Sequence, residues 1–503
     1  MSSVDEHLMH VGIKVNSQNV HLYHDLARIL KKCHNARLHL YTRSVAEERG
    51  LARRDKEGLW DSITASDRLN PALEEPVTDP DGVIARARAW ELRIGETINR
   101  LTHEHRQLGR GYAPGGELYP RQPSVVVADY IQMLHAFNEA LDFWEKEISE
   151  KNLTLVIDAE KWGACVCRAM GVPYRRLCLG RHENYQYWAV DEYFTNARIE
   201  SIYNGLSQWP EAKLERGYSA QTPKTEKKIA GLSALNVLKA TPMAITRMLI
   251  HSLRGLDNGR IPMMEALATM WKPLLGYRRH QRFATTRLAD LEGKPFVYFP
   301  LHKEPETDFS VRTPEYLNQQ AAIMSLSRDL PAGTLLALKE HLPSLEWRPC
   351  HYYQQLADMK NVVFFDIFEP SIPIVKKAAV TATILGTAGL EAAVLGRPVI
   401  NFGRHNLDKF LPHVMTVTDE IQIRDYLEFA LGDDFDTCQA RDDGARFLQA
   451  LKDSCFHMGT FNTVHDTTWG AMPEDAETLY GGLKTSLEPA PETAAALKTG
   501  ALS

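Results

Sequence analysis

No stretch of the 503 residues approaches the roughly 18 uninterrupted apolar residues of a membrane span. The opening MSSVDEHLMH is too polar and acidic for a secretory leader, so the protein is expected to be cytoplasmic. Basic charge is not in excess. Lys and Arg number 58 against 64 Asp and Glu, a net charge of −6, which gives no global attraction for a phosphate polymer and makes nucleic acid an unexpected partner. Cysteine is sparse: Cys33, Cys165, Cys167, Cys178, Cys350, Cys438 and Cys455 are odd in number, lack metal-type spacing and read as reduced thiols. Cys165 and Cys167 read as small core residues. No Gly-x-Ser-x-Gly elbow, His-Glu-x-x-His helix or Gly-x-x-x-x-Gly-Lys loop occurs, which removes three common hydrolase and nucleotide-hydrolysing chemistries. His103-Glu104-His105 splits two rings across a helix, and Asp433, Asp434 and Asp436 follow a glycine at a helix end, so no metal site is expected.

What is there is ordinary globular text, with 44% hydrophobic residues and enough length for two α/β domains. HVGIKV, a helical pattern through Leu30 and LHLYT predict a β-α-β opening. LTLVID, AEKWGACVCRAMG and VPYRRLCL predict a second such unit. The clearest alternation is C-terminal: strands KPFVYFP, TLLALKE, NVVFFD, VTATIL and PVINFG separated by helical stretches, with Thr313-Pro314-Glu315 reading as a helix start. Parallel strands joined by helices make a doubly wound sheet. The expected fold class is α/β, two Rossmann-like domains facing across a cleft with helical insertions. The expected domains are 1–285 on the acceptor side, 286–480 on the nucleotide-sugar side and a disordered tail at 481–503.

Ligands of doubly wound sheets bind beyond the carboxyl ends of the strands, which singles out three segments of the C-terminal half. Gly386-Thr387-Ala388-Gly389-Leu390-Glu391 follows a predicted buried strand. Its small residues admit a ligand to the backbone, free amides favour a phosphate, and Glu391 is placed to accept from ribose hydroxyls. A tight turn with Thr387 as helix cap fits the same residues. Lys339-Glu340-His341 ends the preceding strand, and Lys339 and His341 can both donate to phosphate. His302 and Glu306, in a loop with two prolines, are candidates for facing donor sugar or acceptor. Asp158, at the end of LTLVID, reads as a helix cap or as the base that deprotonates an acceptor. Arg181, Glu183, Asn184 and Tyr187 form either a sugar-holding cluster or a solvated loop. Between Arg247 and Arg282, basic residues mix with Met, Leu, Trp271 and Tyr277, which fits an interdomain helix or a surface lying on the inner membrane.

VYFPLHKEPE, LLALKEH, NVVFFD and TATILGTAGLEAAVLGRPVINFG together resemble the C-terminal domain of the capsule polysaccharide biosynthesis family, over about residues 294–403. That family includes transferases of Kdo, an eight-carbon acidic sugar. The resemblance implies a metal-independent glycosyltransferase of the GT-B kind, with a sugar-nucleotide donor, CMP-linked by preference, and a glycan or lipid-linked acceptor, and with no cofactor. More distantly the chain is similar to CMP-sialic-acid-using enzymes, whose His-Pro and Ser/Thr motifs fall on His341 and Thr387. Here the text is His341-Leu342-Pro343 and Thr387-Ala388 rather than an adjacent His-Pro and paired hydroxyls, which leaves other sugar nucleotides open. A sugar-nucleotide epimerase or hydrolase, or a non-catalytic glycan-binding subunit, fits the same text.

Overall fold

The computed structural model describes residues 9–16, 19–104, 128–214, 231–253, 263–303, 311–341, 344–345, 348, 351–459, 461 and 473–489. These fall into two compact units: one from residues within 1–102, 127–206 and 450–503, the other from within 103–126 and 207–449.

The first unit is built on a seven-stranded sheet. Five parallel strands, β1 (His10–Lys14), β2 (Arg37–Thr42), β3 (Ser62–Ala65), β4 (Leu155–Ile157) and β5 (Tyr174–Leu179), take the order β5-β4-β1-β2-β3. The antiparallel β6 (Tyr185–Ala189) pairs with β5. Val11, Ile13, Leu155, Val156 and Ile157 are all buried, as expected of strands covered on both faces. β3 and β6 are strands that the sequence did not announce.

The second unit holds a six-stranded sheet, β7 (Phe296–Pro300), β8 (Leu335–Lys339), β9 (Val362–Phe364), β10 (Val380–Thr383), β11 (Val399–Asn401) and β12 (Val414–Thr416). Every pairing is parallel and the order is β9-β8-β7-β10-β11-β12. Numbered from its own first strand this is the 3-2-1-4-5-6 order of the Rossmann sheet. The fold is thus α/β with two Rossmann-like sheets. In such a sheet the connections run in opposite senses from the first and fourth strands, leaving a crevice between their carboxyl ends. Here these are β7 and β10.

Two sequence expectations change. The first is the boundary at 480 and the disordered tail from 481. After the helix Thr437–Ser454, the chain forms β13 (Phe456–His457), which pairs antiparallel with β6, and then the helix Pro473–Leu487. Leu479 and Leu483 of that helix are buried with Leu22, Leu26 and Leu30 of the helix Val20–His34. Trp188 Nε1 donates to the Leu479 carbonyl at 3.1 Å, and Arg175 Nε to Ser486 Oγ at 2.9 Å. Apolar residues at positions 476, 479 and 483 share a helical face, so the first unit closes its own core with the end of the described chain. The second change is at Thr313, whose side chain caps nothing. Pro314–Tyr316 is a single 3-10 turn, and the helix Gln319–Asp329 starts at Asn318, whose side chain accepts from the Gln320 amide.

Candidate functional site

β7 and β8 are in register at their carboxyl ends, Pro300 opposite Lys339, so the residues that follow them leave the sheet at one edge. His302 is held there from every side. Its amide donates to Gln319 Oε1 at 2.8 Å, and its carbonyl accepts from Gln319 Nε2 at 3.2 Å and from Arg348 Nη2 at 2.6 Å. Its ring crosses to β10, where Nε2 lies 3.2 Å from both the Ile384 amide and Thr383 Oγ1. A backbone amide can only donate, so Nε2 is the acceptor and the ring proton of neutral His302 sits on Nδ1. Thr383 Oγ1 also accepts from the Gly386 amide at 2.9 Å, which ties the ring to the turn that opens the next helix.

That helix, Thr387–Val394, has Gly386 as N-cap and no side-chain cap. The Gly389 amide donates to the Gly386 carbonyl at 3.1 Å, while the Thr387 and Ala388 amides before it have no intrahelical acceptor and no capping oxygen and carry the positive end of the helix dipole. The alternative of Thr387 as cap does not hold, because Thr387 is the first helical residue. Glycine is required by close approach: a Cβ on Gly386 would stand 2.5 Å from Thr383 Oγ1, and one on Gly389 2.6 Å from Thr383 Cγ2. Gly386 and Thr387 are partly exposed while Ala388 and Gly389 are buried. Glu391 lies one turn into the helix with only 2% of its surface exposed, and its charge adds to burial in raising the Tyr298 phenol.

The end of β8 is built on a buried ion pair. Arg348 Nε and Nη2 donate to Glu340 Oε2 and Oε1 at 2.8 and 2.9 Å, Tyr353 Oη donates to Glu340 Oε2 at 2.8 Å, and the His341 amide donates to Glu340 Oε1 at 2.6 Å. Burial alone would push the Glu340 carboxyl up, but the Arg348 charge and hydrogen bonds outweigh it and hold the group ionised. Arg348 also reaches the His302 carbonyl, so one guanidinium fixes the ends of both strands. His341 Nδ1 is sealed from solvent and meets no partner among the described residues. Burial lowers the imidazole pKa to about 4 against the pull of Glu340, and Arg348, Lys339 and Lys303 lower it further. His341 is therefore a neutral ring at pH 7, able to donate one hydrogen bond, with two lysines close enough to bias it. Arg312, 4% exposed, adds another cation at this edge and donates to the His405 carbonyl.

The structure thus brings His302, Lys339, His341, Gly386 and Thr387 to adjoining strand ends. Glu306, Leu342 and Pro343 lie outside the described residues. Arg348, Thr383 and Gln319 carry no motif signal: they touch the site through backbone and ring contacts 17 to 81 residues apart in sequence, which only folding reveals. Among the described residues no group of three His, Cys, Asp or Glu side chains is placed to hold a metal ion.

The equivalent edge of the first unit has another character. Asp158 adopts φ +59°, and its carboxylate accepts from Tyr23 Oη, from Asn19 Nδ2 at 3.4 Å and from the Leu177 amide at 3.3 Å. Burial pushes the carboxyl above its usual range although Arg176 opposes it, and the Tyr23 phenol is raised in turn by its own burial and by Asp158. Glu160 pairs with Lys14 and accepts from Trp144 Nε1 at 3.3 Å. The helix Lys161–Ala169 begins at Glu160 without a side-chain cap, so the expectation that Asp158 caps it is corrected: Asp158 locks Tyr23 and Asn19 to β4 and β5. Asn184 and Tyr187 form no loop cluster. Asn184 Nδ2 donates to the Met458 and Phe461 carbonyls at 2.7 and 3.0 Å, and Tyr187, 3% exposed in β6, donates to the Phe194 carbonyl. Arg181 and Glu183 sit in the tight β5–β6 turn with φ +59° and +44°.

No family model matches the chain, and no curated protein matches it. Among solved structures, the chain is similar to a KpsC β-Kdo 2,7-transferase of Thermosulfurimonas dismutans, at 12% identity over 69% of this chain and 90% of that one, with a TM-score of 0.30. It is similar also to Anabaena HepE bound to UDP and glucose, at 10% identity over 95% and 100%, TM-score 0.28. A third similarity is to a UDP-GlcNAc 2-epimerase of Neisseria meningitidis, at 11% identity over 88% and 100%, TM-score 0.22. TM-scores this low carry no weight for function, and the Rossmann-like character of both sheets rests on their strand order.

Proposed function

We propose that the protein is a glycosyltransferase whose sugar-nucleotide donor binds at the carboxyl edge of the second sheet, between β7, β8 and β10. The observation that carries this reading is the uncapped, glycine-opened helix at the switch point of a 3-2-1-4-5-6 sheet, next to a ring locked with its proton on Nδ1. The Thr387 and Ala388 amides supply fixed donors for a phosphate, and Lys303 and Lys339 supply charge. His341 and His302, both neutral, stabilise negative charge on the leaving phosphate by hydrogen bonding rather than as cations. Pre-placed donors of this kind lower the barrier for departure of a nucleotide without a proton transfer to it. A CMP-linked Kdo or related acidic sugar is the donor we favour, from the sequence resemblance, with a glycan or lipid-linked acceptor and transfer without a metal. Asp158, with its oxygens committed to Tyr23, Asn19 and Leu177, is assigned no part in transfer.

The test is release of free nucleotide from CMP-Kdo, and from a panel of UDP-, GDP- and dTDP-sugars, with and without glycan acceptors and in the presence of EDTA. Acceptor-dependent release that His341→Ala with Thr387→Ala abolishes supports a transferase. Acceptor-independent consumption of the donor assigns the site to an epimerase or hydrolase instead, and unchanged transfer in the double variant removes the proposed phosphate site.

A further inference from the structure

The helix Ala234–Leu253 presents a face that nothing among the described residues covers. Leu235, Leu238 and Met243 are 60, 56 and 68% exposed, while Val237 on the opposite side is 7% exposed. Positions 235, 238, 239, 242, 243 and 246 are spaced i, i+3, i+4, i+7, i+8 and i+11, and every one is exposed, so the outward stripe is a single helical face and not scattered residues. It carries two leucines, a methionine, Pro242, Thr246 and one charge, Lys239. An apolar stripe turned to water on a packed helix marks an interaction surface.

The charge along this stretch of the sequence says what kind. Residues 229–289 contain nine Lys and Arg and two acidic residues, in a chain whose net charge is −6. No acidic residue lies between 229 and 256. The neighbouring helix Met263–Gln281 adds exposed Leu275 and Arg278. Aliphatic side chains beside cations, with no acidic residue from 229 to 256, match a surface that offers both hydrocarbon and negative headgroups. No helix among the described residues is long and apolar enough to cross a membrane, so the contact is one of lying on the surface.

We propose that the outward face of Ala234–Leu253 docks the protein on an anionic lipid bilayer, with Leu235, Leu238 and Met243 entering the headgroup boundary and Lys239 at the phosphates. The test is flotation of the full chain with vesicles of equimolar phosphatidylglycerol and phosphatidylcholine against vesicles of phosphatidylcholine alone. Binding to the first only, reversed by salt and weakened about tenfold or more in Leu235→Glu/Leu238→Glu/Met243→Glu with its melting temperature kept, is the expected result. Lys239→Glu, at a single exposed site, is a second variant that is expected to weaken binding several-fold without any effect on folding. Absence of flotation, or flotation that neither variant changes, overturns the proposal. So does a dimer in light scattering that the triple variant dissolves, since the face would then be covered by a second copy of the chain.

Discussion

The two sheets share a strand order around their switch points, β1 with β4 and β7 with β10, yet side chains finish the two edges in opposite ways. In the first unit Asp158, Glu160, Lys14, Tyr23, Asn19 and Trp144 bond to one another across the edge. Both carboxylates there are taken up by their neighbours, Asp158 by Tyr23 and Asn19 and Glu160 by Lys14 and Trp144. In the second unit the edge is opened by Gly386 and backed by the His302 ring, Lys303 and Lys339 lie at the strand ends, and the Glu340 carboxylate after β8 is paired with Arg348. Topology offers a crevice in both units, but side chains bond across one of them and leave the other opened by a glycine and an uncapped helix, where we propose that the phosphate binds.

The comparison breaks hardest at Arg348. Replacing it with Ala leaves Glu340 as a buried unpaired carboxylate and releases the His302 carbonyl, at an expected cost of about 3–5 kcal/mol in urea unfolding, together with loss of nucleotide binding. Leu483→Ala tests the return of the chain to the first unit. A fully buried leucine is expected to cost about 2–5 kcal/mol, with nucleotide affinity unchanged, whereas a disordered tail would show no loss. Tyr23→Phe strips one donor from buried Asp158 and is expected to cost about 1–3 kcal/mol, again without effect on nucleotide binding.

The buried histidines give a pH signature. His341 and His280 are each held at about 4 by burial, below the ordinary value of 6.5, so between those limits the unfolded chain takes up protons that the folded chain refuses. Their contribution is intact above pH 6.5 and falls as the pH drops toward 4, by up to about 1.4 kcal/mol per pH unit for each ring. Chemical denaturation between pH 7 and 4.5 measures it, and His280→Phe is expected to flatten the slope. The smallest effect expected is that of Thr383→Val, which keeps the shape but frees the His302 ring and the Gly386 amide. Nucleotide affinity should fall about tenfold, near 1.4 kcal/mol.

Much of this was legible in the sequence because it depends on local pattern. Continuous apolar runs such as VYF and LLAL mark doubly covered strands, and the glycines at 386 and 389 mark a close backbone approach next to a strand end. β3 and β12 were not, since SITA and VMT are too short for a period to show. Nor were Arg348, Gln319 and Thr383, which matter by where a guanidinium, an amide and a hydroxyl arrive after folding. The cap reading of Asp158 failed for a related reason: a carboxylate before a helix looks the same in sequence whether it caps that helix or, as here, accepts from Tyr23. The helix at 473–487 lay in text whose Pro, Ala and Thr content beyond 487 masked the apolar face before it.

Nucleotide binding by thermal shift, with EDTA present, compared between the native chain, His302→Ala and Tyr23→Phe, tests the central claim most directly. A stabilisation by CMP or another sugar-carrying nucleotide that survives in Tyr23→Phe and disappears in His302→Ala is the expected result. An equal stabilisation in His302→Ala, or one lost only in Tyr23→Phe, would place the ligand elsewhere and contradict the account.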